Sequence, residues 1–211
     1  MKLVFIGPPG AGKGLQGKIF SEELQIPTIS TGDIFRDLTS SNTPLSSELS
    51  IYLKCKELAP DSFTTKIVKN RISKPDCSKG FILDGFPRTL GQAENLEKIT
   101  GINHVFDFQI SDEKVIKRLP YREQCRNCKT IYGQGSLAPK KEHICNDCNG
   151  LLFKREDDKK SGIVINRLAI YHREIELITD FYRLRSLLRN VDAAQNYKQV
   201  SDDIRFIINK W

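Results

Sequence analysis

The sequence predicts an α/β fold, a doubly wound parallel sheet of five strands with helices on both faces. Short apolar runs alternate with helix-like stretches along the 211 residues. Strands and helices that alternate in this way form parallel sheets, because the crossover helices cover both faces. The first apolar run ends in a glycine-rich loop, and polar motifs follow several later runs. Since such sheets bind ligands at the carboxyl ends of their strands, these loops are the predicted site.

The predicted elements follow from apolar runs of strand length and from longer stretches with helical spacing. The predicted strands are 2–6, 26–30, 80–86, 104–110 and 187–193. The predicted helices are one that begins near Gly12, then 34–40, 45–56, 61–73, 90–98, 112–119 and a long one around 162–185. A chain of 211 residues is long enough for one domain of ordinary size with a substantial core.

Composition and charge limit the class of protein. The apolar share of 39% and the charged share of 28% are typical of a globular protein in water. No apolar run reaches 18 residues, so we expect no membrane helix. The amino terminus has a single lysine and goes straight into a strand and a glycine-rich loop, so we expect no signal peptide and a cytoplasmic location. A net charge of +7 suits nucleic acid or small polyanions such as nucleotides, and charge alone does not choose between them.

Residues 121–158 interrupt the alternation of strands and helices. This segment carries four cysteines in two C-x2-C pairs that sixteen residues separate: Cys125, Cys128, Cys145 and Cys148. In a cytosolic chain the spacing predicts a four-thiolate zinc site rather than disulfides, although iron or cobalt remain open as the metal. Apolar periodicity is weak here, so a metal would have to hold the segment together. Four thiolates complete a tetrahedral shell, and His143 is expected to lie outside it.

The stretch "GPPGAGKG", residues 7–14, is typical of a phosphate-binding loop between a strand and a helix. Its glycines let backbone N–H groups point at phosphate oxygens, beside the positive end of the helix. Lys13 occupies the position from which an ammonium group reaches the β- and γ-phosphates. The common pattern then has Ser or Thr, whose hydroxyl binds magnesium. Here Gly14 and Leu15 follow, so that hydroxyl is missing.

Two further motifs follow predicted strands. In "FILDGFPRT" three apolar residues of a buried strand lead to Asp84, which is a candidate magnesium carboxylate, and Arg88 lies four residues on. In "STGDIFR" the polar residues are helix N-cap types, so the motif can simply begin a helix. The functional interpretation places Thr31 and Arg36 beside a second nucleotide.

The motifs "GPPGAGKG", "STGDIFR", "DGFPRTLGQAE" and "REDD", in this order, resemble those of adenylate kinases. These enzymes convert ATP and AMP to two ADP. The resemblance covers essentially the whole chain, and the cysteine pattern resembles the long-lid, zinc-bearing form found in many bacteria. It implies Mg²⁺ bound with ATP, a structural Zn²⁺, and a lid whose closure excludes water. No heptad or extra apolar face stands out, so a monomer is expected, with ATP and AMP as partners.

The resemblance also divides the chain. Residues 1–29, 60–120 and 159–211 would form the nucleotide-binding core. Residues 30–59 would form the AMP-binding lobe, and residues 121–158 would form the lid with the zinc site.

Individual residues receive roles from the resemblance. The ATP-binding set is Gly10, Ala11, Gly12, Lys13, Gly14, Leu15, Arg118, Arg122, Ile131 and Tyr132. The AMP-binding set is Thr31, Arg36, Glu57, Leu58, Ala59, Gly85, Phe86, Pro87, Arg88, Gln92, Arg155 and Arg167, with Gln92 at the adenine edge. The catalytic set is Lys13, Asp84, Arg88, Arg122, Arg155 and Arg167. Arginine suits such a site because its guanidinium is planar, always charged and bidentate to phosphate.

Four features depart from the family pattern. Leu15 stands where Thr is usual, and "PYREQ" replaces the usual "GRR" before the first cysteine of the lid. Eleven residues separate Arg155 from Arg167, one more than expected, which leaves the register of Arg167 open. "NVDAAQ" replaces a Val-x-Gly stretch near the carboxyl terminus, so an ATP contact at Ala194 also stays open. We expect an active enzyme that handles ATP less well because of Leu15.

Three alternatives remain from the sequence. The chain could be a nucleic-acid-binding zinc-ribbon NTPase, but residues 121–158 hold seven Lys or Arg and six Asp or Glu, a net charge of only +1. It could phosphorylate UMP, CMP or GMP, although Thr31, Gln92 and the long lid favour AMP. It could be an inactive scaffold, which only Leu15 supports.

Overall fold

The structure is a computed structural model of the chain, and it describes residues 1–39, 43–54 and 58–210. Three sequence predictions fall wholly or partly outside these residues. They are the AMP contact of Glu57, the last residue of the helix predicted at 34–40 and the last two residues of the helix predicted at 45–56.

The core is a parallel sheet of five strands in the order β2-β3-β1-β4-β8, which confirms the predicted fold class. The strands are β1 Lys2–Ile6, β2 Thr28–Ser30, β3 Phe81–Asp84, β4 His104–Gln109 and β8 Leu188–Asp192. In register, Phe5 of β1 lies opposite Asp84 of β3 and Phe106 of β4. Every predicted strand is therefore present, and the loops that follow β1, β2 and β3 open at one edge of the sheet.

Helices cover both faces of this sheet. In chain order, the helices of the described residues are α1 Lys13–Leu24, α2 Thr31–Thr39, α3 Pro44–Lys54, α4 Asp61–Ile72, α5 Leu90–Ile99, α6 Asp112–Arg118, α7 Glu156–Lys159, α8 Ser161–Leu184 and α9 Tyr197–Ile208. Helices α7 and α9 are additional to the predicted set. The sequence does contain a pattern that indicates α9. Val200, Ile204 and Ile208, which the structure buries, have helical spacing and follow the N-cap residue Asn196. In the described ranges no helix has the length and apolarity that crossing a membrane requires.

Two apolar layers hold the helices to the sheet. Leu3 and Phe5 of β1 face one layer, which α1 and α9 complete. Val4 and Ile6 face the other, which α4, α5 and α8 complete. Because successive strand residues point to opposite faces, a strand covered on both sides is apolar throughout, as "LVFI" is.

Residues 121–158, the cysteine-bearing segment, contain a small antiparallel sheet in the order β6-β5-β7. Its strands are β5 Glu123–Cys125, β6 Ile131–Tyr132 and β7 Leu152–Phe153, which the sequence did not indicate. The apolar cluster of this sheet consists of Cys125, Tyr132, Cys145 and Leu152. Two of these four residues are cysteines, so little apolar packing remains without them. This agrees with the expectation that the segment cannot build a sufficient core of its own.

Candidate active site

A cleft of about 1440 Å³ opens at the carboxyl ends of the parallel strands. A pocket for a single small ligand measures ~300–1,000 Å³, so this cleft has room for more than one. The loop after β1, helices α2 and α8, the loop after β3 and the cysteine-bearing segment all line it. The cleft therefore lies where the sequence placed the site.

The glycine-rich loop joins β1 to α1, as predicted. Lys13 is partly buried, and its Nζ donates to the carbonyls of Gly7 at 2.8 Å and Pro8 at 2.7 Å. Burial lowers the pKa of Lys13 to about 8, and three arginines add to this effect while Asp84 opposes it. A polyanion in the loop would reverse the shift, since nearby negative charge favours the ammonium form.

Asp84 ends β3 beside the start of α1. A Cβ placed on Gly14 would lie 3.4 Å from Asp84 Oδ2, so a carboxylate oxygen adjoins the glycine-rich loop. Oxygen ligands of this kind suit Mg²⁺, which usually keeps several waters and binds through one or two carboxylates and phosphates. Leu15 also lines the cleft, but its side chain has no atom that could bind a cation.

Arg122 and Arg167 share a buried carboxylate. Arg122 donates to both oxygens of Asp158, at 2.7 and 2.6 Å, and Arg167 donates to Oδ1 at 2.9 Å. The Asp158 side chain is only 2% exposed. Arg167 lies in this cluster despite the extra residue before it. Asp158 belongs to the quoted "REDD" motif, but no sequence pattern indicated that it would orient two arginines.

A second carboxylate joins α2 to the cysteine-bearing segment. Asp33 accepts from Arg36 at 2.6 Å and from Gln124 Nε2 at 3.1 Å, and Arg155 lies 3.7 Å away. Arg155 donates through Nε to Gln124 Oε1 at 2.9 Å and is 7% exposed. Burial, together with Arg122 and Arg36, lowers the pKa of Arg155 to about 10, so it remains charged at neutral pH.

Arg88 reaches the cleft from the loop after β3. Its Nε donates to the Gly85 carbonyl at 2.8 Å. Gly85 has φ +77°, and a Cβ there would lie 2.9 Å from Arg88 Nη2 and 3.1 Å from Thr31 Oγ1. Glycine is therefore required for this close approach. Thr31 Oγ1 in turn donates to the Gly85 carbonyl at 2.8 Å, while Ser30 supplies the helix cap by accepting from Asp33 N.

Half of the predicted AMP residues surround a small pocket of about 20 Å³ next to the main cleft. The lining residues from the predicted set are Thr31, Leu58, Ala59, Gly85, Arg88 and Gln92. Arg36, Pro87, Arg155 and Arg167 line the adjoining cleft. Phe86 is an exception, because its side chain is buried in the core and the peptide bond to Pro87 is cis. Only the backbone of Phe86 is thus available to a ligand.

The predicted ATP residues lie across the cleft from this pocket. Residues 10–15, Arg118, Arg122, Ile131 and Tyr132 all line the main cleft. Arg118 Nη1 donates to the Ala193 carbonyl at 2.9 Å and Nη2 contacts the Ala194 carbonyl at 3.5 Å. The "NVDAAQ" stretch thus holds Arg118 through backbone atoms.

The four cysteines converge, and their Sγ atoms lie within 4.8 Å of one another. Pairs of sulfurs are 3.4 Å apart, which fits a tetrahedral four-thiolate site for zinc. Neighbouring groups also fit such a site, because the Tyr132 hydroxyl lies 3.3 Å from Cys145 Sγ and the Asp147 N–H donates to that sulfur at 3.4 Å. His143 lies outside the cluster and contacts Glu123 through Nδ1 at 2.9 Å.

The cysteine-bearing segment contacts both α1 and α2. Lys18 of α1 donates to Thr130 Oγ1 at 2.6 Å and forms an ion pair with Asp147. Lys129 pairs with Asp37 of α2 at 2.9 Å. These contacts do not involve the arginine clusters, so they attach the segment to α1 and to α2 independently of those clusters.

A phosphate-binding loop on a doubly wound sheet, facing six cationic side chains, defines a nucleotide-dependent phosphotransferase. The family model for adenylate kinase matches residues 5–187. An adenylate kinase from Archaeoglobus fulgidus is 42% identical over 215 residues, covering 100% of this chain and 99% of the relative. Those from Thermosipho africanus and Acetivibrio thermocellus are 40% and 41% identical, covering 100% and 99% of this chain and 100% and 97% of the relatives. The chain belongs to the adenylate kinase family.

Family membership makes the chain an adenylate kinase enzyme, for which reversible phosphoryl transfer between ATP and AMP is the supported reaction. It argues against the inactive scaffold, the zinc-ribbon NTPase and a kinase for other monophosphates.

Proposed function

We propose that this chain transfers the terminal phosphoryl group of ATP in line to AMP, with Lys13 and five arginines stabilising the charge. The observation that carries the proposal is their convergence on one cleft from the glycine-rich loop, α2, the loop after β3, the cysteine-bearing segment and α8. Phosphoryl transfer needs two polyanions held in line and neutralised, rather than a covalent or general-base group.

ATP binds along the glycine-rich loop. The backbone of residues 10–15 and Lys13 hold its phosphates, and Arg118 stacks on the adenine. The two carbonyl contacts of Arg118 support this role, since they fix the plane of the guanidinium. Arg122, Ile131 and Tyr132 cover ATP from the other side.

AMP binds in the part of the cleft that adjoins the small pocket, and the pocket, at about 20 Å³, has to widen to admit the base. Thr31, Leu58, Ala59 and the backbone of 85–87 surround the nucleoside, and Gln92 reads the adenine edge. Arg36 and Arg88 bind the phosphate, and Glu57 is proposed from the family pattern alone.

Arg122, Arg155 and Arg167 hold the phosphoryl group in transit between the two nucleotides. Their support is geometric, because Asp158 and Asp33 fix these guanidiniums before any substrate enters. Groups positioned in advance stabilise developing charge without a reorganisation cost at the moment of reaction.

Mg²⁺ accompanies ATP in this proposal, and Asp84 is the protein carboxylate that would help to hold it. When bound, the ion neutralises phosphate oxygens. Leu15 contributes no ligand, so phosphates, water and Asp84 hold the ion.

The division of the chain is part of the proposal. Residues 1–29, 60–120 and 159–211 form the core, 30–59 the AMP-binding lobe, and 121–158 a lid that a structural Zn²⁺ stiffens. The ion pair of Lys18 with Asp147 and that of Lys129 with Asp37 support a lid that closes on both the core and the AMP-binding lobe and excludes water from ATP. The enzyme acts as a monomer on ATP and AMP, without nucleic acid or membrane.

The test is product formation from MgATP with AMP, UMP, CMP or GMP as acceptor. We expect ADP to form rapidly with AMP and little transfer to the other three. Equal or faster transfer to another monophosphate would overturn the assignment of the acceptor site. Binding of ATP without transfer to any acceptor would restore the inactive-scaffold alternative.

A further inference from the structure

Both ends of the Gln92 side-chain amide are held by the protein. The backbone N–H of Arg88 donates to Gln92 Oε1 at 2.8 Å, and Gln92 Nε2 donates to Asp61 Oδ1 at 2.9 Å. A primary amide has two acceptor lone pairs on its oxygen and two N–H groups on its nitrogen. One of each is used by these partners, so one acceptor and one donor remain for a ligand in the small pocket that Gln92 lines.

These partners fix which way round the amide lies. If the amide were reversed, its oxygen would face the carboxylate of Asp61, and its NH₂ group would face the N–H of Arg88. Both hydrogen bonds would be lost, because an acceptor would then face the acceptor of Asp61 and a donor would face the donor of Arg88. Gln92 is only 2% exposed, so water could not replace these bonds. Buried polar groups without partners carry a large penalty, so one orientation is enforced.

Asp61 is itself held against the first turn of α5. The Thr89 hydroxyl donates to Asp61 Oδ2 at 2.8 Å, and the same hydroxyl caps α5 by accepting from Gln92 N at 3.1 Å. A Cβ on Gly91 would lie 2.6 Å from Asp61 Oδ2, so the absence of a side chain there makes room for the carboxylate. The carboxylate that orients Gln92 is thus part of a built arrangement between α4 and α5.

We propose that Asp61 is a positioning residue that makes the acceptor site select a 6-amino purine over a 6-oxo purine. This inference rests on the proposed role of Gln92 at the acceptor base. A 6-amino purine presents an N–H donor beside the N1 acceptor, which matches the free oxygen and free N–H of the fixed amide. A 6-oxo purine presents an acceptor beside an N1–H donor, which opposes them. An amide free to turn would accept both bases equally.

The experiment compares AMP with inosine monophosphate (IMP), which differs from AMP only at this edge of the base. The ratio of kcat/KM for AMP to that for IMP is measured at saturating MgATP for the wild type and for Asp61→Asn. Asparagine can present either an oxygen or an NH₂ group, so in this variant only the backbone N–H of Arg88 still opposes a reversed Gln92. We expect the ratio to fall about tenfold or more, chiefly through KM for the acceptor, with KM for ATP unchanged.

Two further variants separate positioning from simple structural support. Thr89→Ala removes the hydroxyl that holds Asp61 and caps α5, but it leaves both partners of the Gln92 amide. We expect a lower melting temperature and an unchanged ratio. Gly91→Ala crowds the Asp61 carboxylate without changing its charge, so we expect the AMP to IMP ratio to fall in this variant as well. It therefore tests the proposal even if Asp61→Asn fails to fold. An unchanged ratio in Asp61→Asn or Gly91→Ala, or an equal fall in Thr89→Ala, overturns the proposal.

Gln92→Leu distinguishes failure of this inference from failure of the proposed acceptor site. We expect it to bring the AMP to IMP ratio close to one. If the ratio collapses in Gln92→Leu and not in Asp61→Asn, Gln92 reads the base without the help of Asp61. If Gln92→Leu keeps the wild-type ratio, the base lies elsewhere and the acceptor site is wrong.

Discussion

At the scale of single residues, the charge of Lys13 depends on its surroundings. Burial and the nearby Arg88, Arg122 and Arg167 lower its pKa to about 8, although Asp84 partly offsets them. Lys13 is therefore mostly charged at pH 7 and mostly neutral at pH 9. A triphosphate bound at the same place favours the charged form, so the binding of ATP and the protonation of Lys13 are linked.

We expect the affinity for ATP to decrease as the pH rises above 8, by up to about tenfold per pH unit. Below pH 8 the ammonium is already present, and above it each binding event must take up a proton. Titration calorimetry from pH 6.5 to 9.5, in buffers with different ionisation enthalpies, measures both the affinity and the proton uptake. Lys13→Arg, which keeps its charge, should bind with little pH dependence. Equal affinity of the wild type at both ends of this range would contradict the linkage.

Leu15 is the residue at which this chain departs from the usual phosphate-binding loop. We expect Leu15→Thr to raise kcat/KM for MgATP, because a hydroxyl in this position can bond a charged ligand. Such a hydrogen bond contributes about 1.5–3 kcal/mol, which is roughly 10- to 150-fold. Leu15→Val is the matched control, since valine has the shape of threonine without the hydroxyl. If the Thr and Val variants have the same kcat/KM, the missing hydroxyl has no role here.

At the scale of elements, the cysteine-bearing segment relies on its metal site more than on apolar packing. Its buried cluster includes two of the four cysteines, Cys125 and Cys145. Its strands β6 and β7 each contain only two residues, and β5 contains three. A small sheet with so few apolar contacts is unstable alone, so thiolate–metal bonds would supply most of its stability.

We expect the purified chain to hold one zinc per molecule and Cys145→Ser to lose it. The loss should lower the melting temperature and increase amide exchange in residues 121–158, while the strands of the parallel sheet stay protected. Metal analysis and hydrogen exchange measure these effects. Cys77→Ser is the control, because Cys77 is buried in the core near Arg71 and lies outside the cluster. Equal metal content in wild type and Cys145→Ser would show that these cysteines are not the ligands.

At the scale of the whole molecule, the cysteine-bearing segment and the core meet through charged pairs. Lys18 contacts Thr130 and Asp147, and Thr130 Oγ1 lies 3.1 Å from Cys128 Sγ. The contact of Lys18 with Thr130 and Asp147 therefore links α1, the helix that follows the glycine-rich loop, to residues beside the metal site. Closure of the segment over ATP and the integrity of the metal site are expected to influence each other.

We expect Lys18→Met to raise KM for ATP about two- to fivefold and to speed opening of the segment. The effect is small because the paired side chains are 32% and 45% exposed, and such ion pairs contribute about 0.2–1 kcal/mol. Steady-state kinetics, together with hydrogen exchange of residues 121–158 under saturating nucleotide, measures it. Lys117→Met removes a similar lysine from an exposed pair within α6 and should change neither quantity. A kinetic effect of equal size in both variants would point to net charge rather than to this contact.

Much of the fold and the site was predictable because its signals are local. A strand, a glycine-rich loop and a helix follow one another within residues 2–24, so their sequence pattern is enough. The same holds for Asp84 at the end of a strand and for the paired cysteines. Helix α9 was not predicted, although its apolar residues do have helical spacing. The small sheet of the cysteine-bearing segment was not predicted because strands of two residues are too short to show a pattern.

The sequence by itself determined the α/β class, the loop with Lys13, the four-cysteine cluster and the family. Only the tertiary structure showed which carboxylate contacts which partner side chain. Asp158 is 36 residues from Arg122, Asp61 is 31 residues from Gln92, and Asp147 is 129 residues from Lys18. Such partners have no sequence spacing in common, because packing brings them together from different elements. Their effect also depends on burial, since the same carboxylates exposed to water would orient their partners only weakly.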